Sequence, residues 1–168
     1  GCGDGMCGLL LSTFGHVPTL LDMDDWRDKR VKSLEFVKCS LTGKLPIASG
    51  TYDFIYSYNT FEHVFEPQKA LDELVRILKP GGIIYLDFGP LYASAWGLHA
   101  FRMLNMPYPQ YLFSKEFYVQ KIKEIGQFDI GRQMNVLQPL NQWVGKQYDE
   151  LFRNCGCEVV AYKKFSHY

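Results

Sequence analysis

No stretch of apolar residues in the 168-residue chain approaches the roughly 18 to 20 that a helix needs to cross a bilayer, which argues against a membrane span. Neither sign of charge is in excess. Eighteen Lys and Arg stand against eighteen Asp and Glu, scattered along the chain, so there is no electrostatic footprint for nucleic acid or an anionic surface. The five cysteines, Cys2, Cys7, Cys39, Cys155 and Cys157, lack CxxC spacing and have no neighbouring His that would complete a zinc site. No metal is expected on that count, and the simplest reading is reduced thiols in a cytoplasmic protein. Internal repeats and low-complexity tracts are also missing.

What is present begins at the first residue. Gly1-Cys2-Gly3-Asp4-Gly5 is a glycine-rich turn that opens into the apolar run Leu9-Leu10-Leu11 with Phe14, and Asp22 closes the next apolar segment. A nucleotide-type cofactor needs this arrangement: a main chain without Cβ atoms where the ligand presses, then a carboxylate that accepts hydrogen bonds from ribose hydroxyls. Gly3-Asp4-Gly5-Met6-Cys7-Gly8 also satisfies GxGxxG, with Asp22 near the spacing of a nicotinamide fingerprint, so NAD(P)-dependent oxidoreduction is one reading of these residues alone. Such a turn normally leaves the carboxyl end of a parallel strand, and none precedes Gly1. The expectation is a fragment, longer in nature at both ends, whose residues 1–168 fold poorly alone.

The periodicity predicts alternating elements. A helix runs from Met6 to Phe14 and stops at Gly15, Pro18 to Asp22 and Ser33 to Cys39 read as strands, and the charged segment Asp24 to Arg30 reads as a helical turn or two. Tyr52 to Tyr58 is an aromatic and β-branched strand. Pro67 starts a helix with Leu71, Leu74, Val75 and Leu78 on one face, Lys79-Pro80-Gly81-Gly82 breaks it, and Ile83 to Phe88 is a strand. Parallel neighbours need crossover helices, so this order implies an α/β fold with a doubly wound, mostly parallel, Rossmann-like sheet. Ligands in such sheets sit outside the carboxyl ends of the strands.

From Gly89 to Phe113 the pattern turns irregular and aromatic, with Tyr92, Trp96, Phe101, Tyr108, Tyr111 and Phe113, which suggests a lid or insertion. Ser114 caps a helix ending near Gly126, Asn141 to Asn154 reads as a helix closed by Gly156, and Glu158 to Phe165 as a last strand. One domain is expected over 1–168, with a cofactor half at 1–88, an acceptor-reading insertion at 89–140 and a closing helix and strand at 141–168.

Four blocks together resemble class I S-adenosylmethionine-dependent methyltransferases of the small-molecule type. They are Gly1 to Gly5; Leu21-Asp22-Met23-Asp24; Leu45-Pro46-Ile47 with Gly50 to Ser57 and Phe61-Glu62-His63-Val64; and Arg76-Ile77-Leu78-Lys79-Pro80-Gly81-Gly82. The resemblance is firm to about Phe88 and loose beyond. A dehydrogenase gives no reason for Leu45-Pro46 or for Lys-Pro-Gly-Gly before a strand. The resemblance implies that fold, here without its first and last strands, and S-adenosyl-L-methionine as cofactor. It places Gly1, Gly3 and Gly5 under the methionine part, Asp22 on the ribose, Met23 against the adenine face, and Tyr58 and Asn59 on the methionine portion. The family's Gly-Asp pair after the third strand is replaced by Cys39 and Ser40, leaving the Ser40 hydroxyl and the Leu41 amide to serve adenine. Asp24 is expected to cap a helix.

The family shares a cofactor site and no catalytic motif, because in-line methyl transfer gains most from positioning. A hydroxyl or amine acceptor must lose a proton, and His63, His99 and Asp87 are the candidate groups to help. Tyr92, Trp96, Tyr108 and Tyr111 could shape an apolar pocket for a small-molecule acceptor. His16 and His167 read as surface residues. A catalytically inactive cofactor-binding domain remains the third reading.

Overall fold

The structure is a computed structural model and describes residues 1–100, 103–125 and 137–165. Phe101, Gly126 and His167 lie outside the described residues. The chain forms two compact units, Gly1–Thr60 with Glu66–Asp87, and Phe61–Phe65 with Phe88–Tyr168.

The first unit is built from parallel strand pairs. Helix α1 (Met6–Thr13) leads to β1 (Thr19–Asp22), which pairs in parallel with β2 (Glu35–Lys38), Asp22 lying opposite Lys38. Strand β3 (Tyr52–Tyr58) crosses over through α2 (Pro67–Ile77) to its parallel partner β4 (Leu78–Asp87). The α/β class and the parallel sense agree with the sequence. Between β1 and β2 the charged segment makes only a 3-10 turn at Lys29–Val31. Upstream, Asp25 takes the Arg27 guanidinium at 2.9 Å, and these side-chain bonds compete with helical ones. The capping residue of that turn is Asp28, whose carboxylate accepts from the Arg30 N–H at 2.9 Å; Asp24, expected as a cap, instead pairs with Lys38 at 3.2 Å.

Helix α2 ends one residue earlier than its apolar face suggested. Leu78 has φ −76° and ψ 139° and opens β4, because the approaching Pro80 cannot continue a helix; Pro67, Ala70, Leu71, Leu74 and Ile77 are the buried side chains. Lys79 to Gly82 do break the pattern, but as a bulge inside β4. Tyr52 pairs with Leu78 and Phe54 with Ile83, so four residues stand opposite Asp53 alone. Gly81, at φ 78°, turns the bulge, and Lys79 Nζ ties it to the Asp53 carboxylate at 2.8 Å. Leu45, 2% exposed, docks on α2: its N–H donates to Glu73 and its carbonyl accepts from Arg76.

The second unit holds a short helix α3 (Pro109–Leu112), α4 (Lys115–Ile125) and α5 (Gly145–Arg153). Ser114 caps α4 as expected, its hydroxyl accepting from the Phe117 N–H at 3.3 Å. Leu98, Ala100, Tyr118 and Ile122 form one apolar cluster, with Met103, Leu104, Val119 and Leu137 packed on it. Residues Asn141 to Val144 are not helical: the Asn141 side chain captures the Trp143 N–H at 2.9 Å and Gln142 takes φ 60°, so the helix starts only at Gly145. Glu158 to Phe165 is not a strand; it is exposed and pairs with no other strand among the described residues. An extended segment without a ladder partner has nowhere to place its N–H and C=O groups except water.

Candidate functional site

The residues that the sequence singled out for a cofactor lie at or beside the carboxyl ends of β1, β2 and β3. The Cys2 N–H donates to the Leu21 carbonyl at 2.9 Å, which lays the opening turn along the end of β1. The Gly3 N–H then donates to Asp22 Oδ2 at 3.0 Å and the Met23 N–H to Oδ1 at 2.8 Å. Asp22 is 6% exposed, and each of its oxygens keeps a second acceptor direction, so the carboxylate can hold the turn and still take two hydroxyls. Burial, and next the Asp22 charge, push the Cys2 thiol up from its ordinary pKa, which keeps it protonated beside the carboxylate.

The three loop glycines are not equivalent. A Cβ on Gly1 would strike Thr60, and one on Gly5 would come within 2.8 Å of Val31 and 2.9 Å of Leu20, so here it is the protein's own side chains that press against the main chain. Gly3, at φ 54°, has nothing within 4 Å of the place a Cβ would occupy, so its open face is the candidate cradle. Asp4 Oδ1 accepts from the Met6 N–H at 3.0 Å and starts α1.

Around that cradle the Cys39 N–H donates to the Asp22 carbonyl at 2.9 Å, bringing Ser40 and Leu41 to the end of β2. The Ser40 hydroxyl lies 2.9 Å from the Thr42 hydroxyl, where either can donate, and accepts from the Thr42 N–H at 3.3 Å; with Ser40 as donor to Thr42, one of its lone pairs stays open. Met23 is 64% exposed, an apolar side chain open to a ligand face. Tyr58 is half exposed, and Asn59 sits in the left-handed region at φ 47°, donating its N–H to the Asp87 carbonyl at 2.8 Å. Asp87, opposite Tyr58 in the ladder, has Tyr85 Oη 3.4 Å from its carboxylate.

His63 and His99 come together in the second unit, with ring centroids 5.0 Å apart and planes at 83°. His63 Nδ1 lies 2.9 Å from the Pro139 carbonyl, and His99 Nε2 lies 2.7 Å from that of Pro90. Sequence reasoning missed their companion, Glu62, which is 1% exposed with Oε1 3.8 Å from His63 Nε2. The available signal was a lone carboxylate between Phe61 and Val64, both buried. Asn141 was missed too. Its amide nitrogen lies 2.8 to 2.9 Å from the carbonyls of Phe61 and Val64 and from Tyr148 Oη, three acceptors for two N–H groups, and fixes the segment that carries Glu62 and His63. Of the aromatics, Tyr92 and Tyr111 meet edge to face at 6.0 Å, and the Gln110 amide pins the Tyr92 and Ser94 carbonyls. His16 is exposed, as expected.

The profile of the family described as "methyltransferase domain" matches residues 1–86, just over half of the chain. The chain belongs to that family. Among curated relatives, this methyltransferase domain is similar to an uncharacterized methyltransferase of Mycolicibacterium gilvum, 37% identical over 67 residues that cover 38% of this chain and 26% of the relative. It is also similar to the ubiquinone biosynthesis O-methyltransferase of Pectobacterium atrosepticum, 28% identical over 104 residues, 57% of this chain and 43% of the relative. The chain thus spans less than half the length of these relatives. In fold it is similar to a chain in the complex between the Haloferax volcanii Trm112 methyltransferase activator and its putative methyltransferase, with a TM-score of 0.55 at 21% identity, covering 93% of this chain and 57% of that one. The Rossmann-like α/β architecture of the methyltransferase domain is thereby shared at low identity.

Proposed function

We propose that the protein transfers a methyl group from S-adenosyl-L-methionine to an oxygen or nitrogen of a small or medium-sized metabolite. The observation that carries the reading is the Gly3–Asp22 pairing: a buried carboxylate locked beneath a main-chain turn, with acceptor directions to spare and an open face at Gly3. When bound, the cofactor supplies an electrophilic methyl on a sulfonium, so an acceptor held in line needs no protein nucleophile.

In this reading Asp22 accepts from the ribose hydroxyls, with the added strength of an ionised acceptor. Gly1, Gly3 and Gly5 bring the main chain close to the methionine part, and Tyr58 and Asn59 flank it. Met23 covers the adenine face, while the Ser40 lone pair and the Leu41 N–H meet the adenine edge. Residues 89–140 read the acceptor, with Tyr92 and Tyr111 as apolar walls. A hydroxyl or amine acceptor loses its proton to His63, His99 or Asp87. The curated O-methyltransferase relative supports the methyl-transfer class.

Calorimetric titration of the full-length protein with S-adenosylhomocysteine, and separately with NAD, tests the reading. Binding of the former and silence from the latter support it, and the reverse replaces it with an oxidoreductase. Tight binding without turnover across a panel of phenols, alcohols and amines would instead identify an inactive cofactor-binding domain.

A further inference from the structure

Glu62, His63 and His99 form a group the methyl-transfer reading does not require as a set. The 3-10 turn at Phe61–His63 places a carboxylate and an imidazole side by side, and Glu62 is carried into the interior at 1% exposure. One donor atom from each of the three residues lies within 4.8 Å of the other two.

The backbone fixes how the two rings present themselves. A carbonyl oxygen only accepts, so His63 Nδ1 carries the hydrogen it shares with Pro139, and the neutral ring has its lone pair on Nε2, the nitrogen that faces Glu62 Oε1 at 3.8 Å. By the same logic His99 Nε2–H donates to Pro90 and the lone pair sits on Nδ1. Metal-ligating histidines are oriented in this way, with the remote N–H donated to a carbonyl or carboxylate and the other nitrogen turned inward. The near-perpendicular rings can aim at a shared point.

We propose that Glu62, His63 and His99 bind a divalent first-row transition cation, such as zinc or iron(II). Two imidazoles and one carboxylate suit such ions, whereas calcium and magnesium favour all-oxygen sets. With nitrogen and oxygen ligands at about 2.0 to 2.2 Å from a metal, the three donors need draw together only modestly. Three protein ligands leave coordination positions open for water or an oxygen of a small molecule. All three residues belong to the second unit, so the site stands independently of the glycine turn; a metal on His63 and His99 leaves Asp87 as the remaining proton-acceptor candidate of the methyl-transfer reading.

The test uses full-length protein stripped with EDTA, dialysed and titrated with cobalt(II) chloride, read by visible d–d absorption. The expected result is one cobalt per chain at micromolar affinity or tighter, displaced by zinc. His63→Gln and His99→Gln should each weaken cobalt binding by about 10- to 100-fold with unchanged far-UV circular dichroism. Replacing buried Glu62 also disturbs packing, so the two His variants decide. Cobalt binding only at millimolar levels, or equal affinity in wild type and both His variants, overturns the site. Neither result bears on S-adenosylhomocysteine binding, which is measured separately.

Discussion

The Gly3 N–H donates to the Asp22 carboxylate across 3.0 Å, joining the opening turn of the chain to the end of β1. One carboxylate thus organises the loop and, in the proposed function, grips the cofactor sugar, so structure and affinity should fail together when it is changed.

Asp22→Asn keeps one acceptor oxygen but sets an NH2 group against a backbone N–H and removes the charge. Charge-assisted hydrogen bonds contribute about 1.5–3 kcal/mol each. The expected outcome in the full-length protein is at least about a tenfold loss of S-adenosylhomocysteine affinity by calorimetry, with a lower melting temperature.

Two glycine substitutions separate packing from ligand contact. Gly5→Ala puts a Cβ 2.8 Å from Val31 and 2.9 Å from Leu20 at φ 78°, and should destabilise by about 2–4 kcal/mol in urea denaturation. Gly3→Ala meets nothing within 4 Å and should cost only the left-handed backbone term of about 1–2 kcal/mol. Its larger effect is expected on ligand affinity, since the new methyl enters the open cradle. Equal ligand binding by Gly3→Ala and wild type would remove the cradle from the proposed site.

The Glu73 carboxyl is held down to about 2, first by the Arg76 guanidinium at 2.7 Å and then by the Leu45 N–H. A depressed folded value stabilises the fold above the ordinary value of 4.5 and loses that contribution as pH falls from about 4.5 towards about 2. Glu73→Gln should be less stable than wild type by about 1–2 kcal/mol at neutral pH, with the gap closing below pH 4. Urea midpoints measured across that range check it; a gap that is constant with pH would refute the assignment.

Asn141 holds the Phe61 and Val64 carbonyls and Tyr148 Oη with one amide. Asn141→Ala leaves these groups without that donor and should destabilise the protein by about 2–4 kcal/mol. Tyr148→Phe keeps the buried ring and removes only the hydroxyl, so about 1 kcal/mol is expected. Comparable losses in both, by denaturant titration, would show that the Tyr148 hydroxyl, and not the two carbonyl contacts of Asn141, carries the effect.

Much of the first unit was legible because its signals are local. Tyr52–Tyr58 appears as a strand with the bounds its aromatic and β-branched run indicated, and Pro67 opens α2. The boundaries that moved did so through side-chain competition: Asn141 taking the Trp143 N–H delayed α5, and the Asp25–Arg27 pair kept the β1–β2 link from coiling. Glu158 to Phe165 has strand composition, but composition supplies no ladder partner.

By itself the sequence determined the parallel βα alternation and the pairing of a glycine turn with Asp22. Positive φ, side-chain period and strand-to-helix spacing are properties of short segments, and they survive reading one residue at a time. Only the tertiary structure decided that Gly3, and not Gly1 or Gly5, faces open space, and that Glu62, His63 and His99 share one place. Those outcomes depend on which distant side chains fill a given volume and which carbonyls fix a ring. That is set by packing across segments, where no local pattern carries the information.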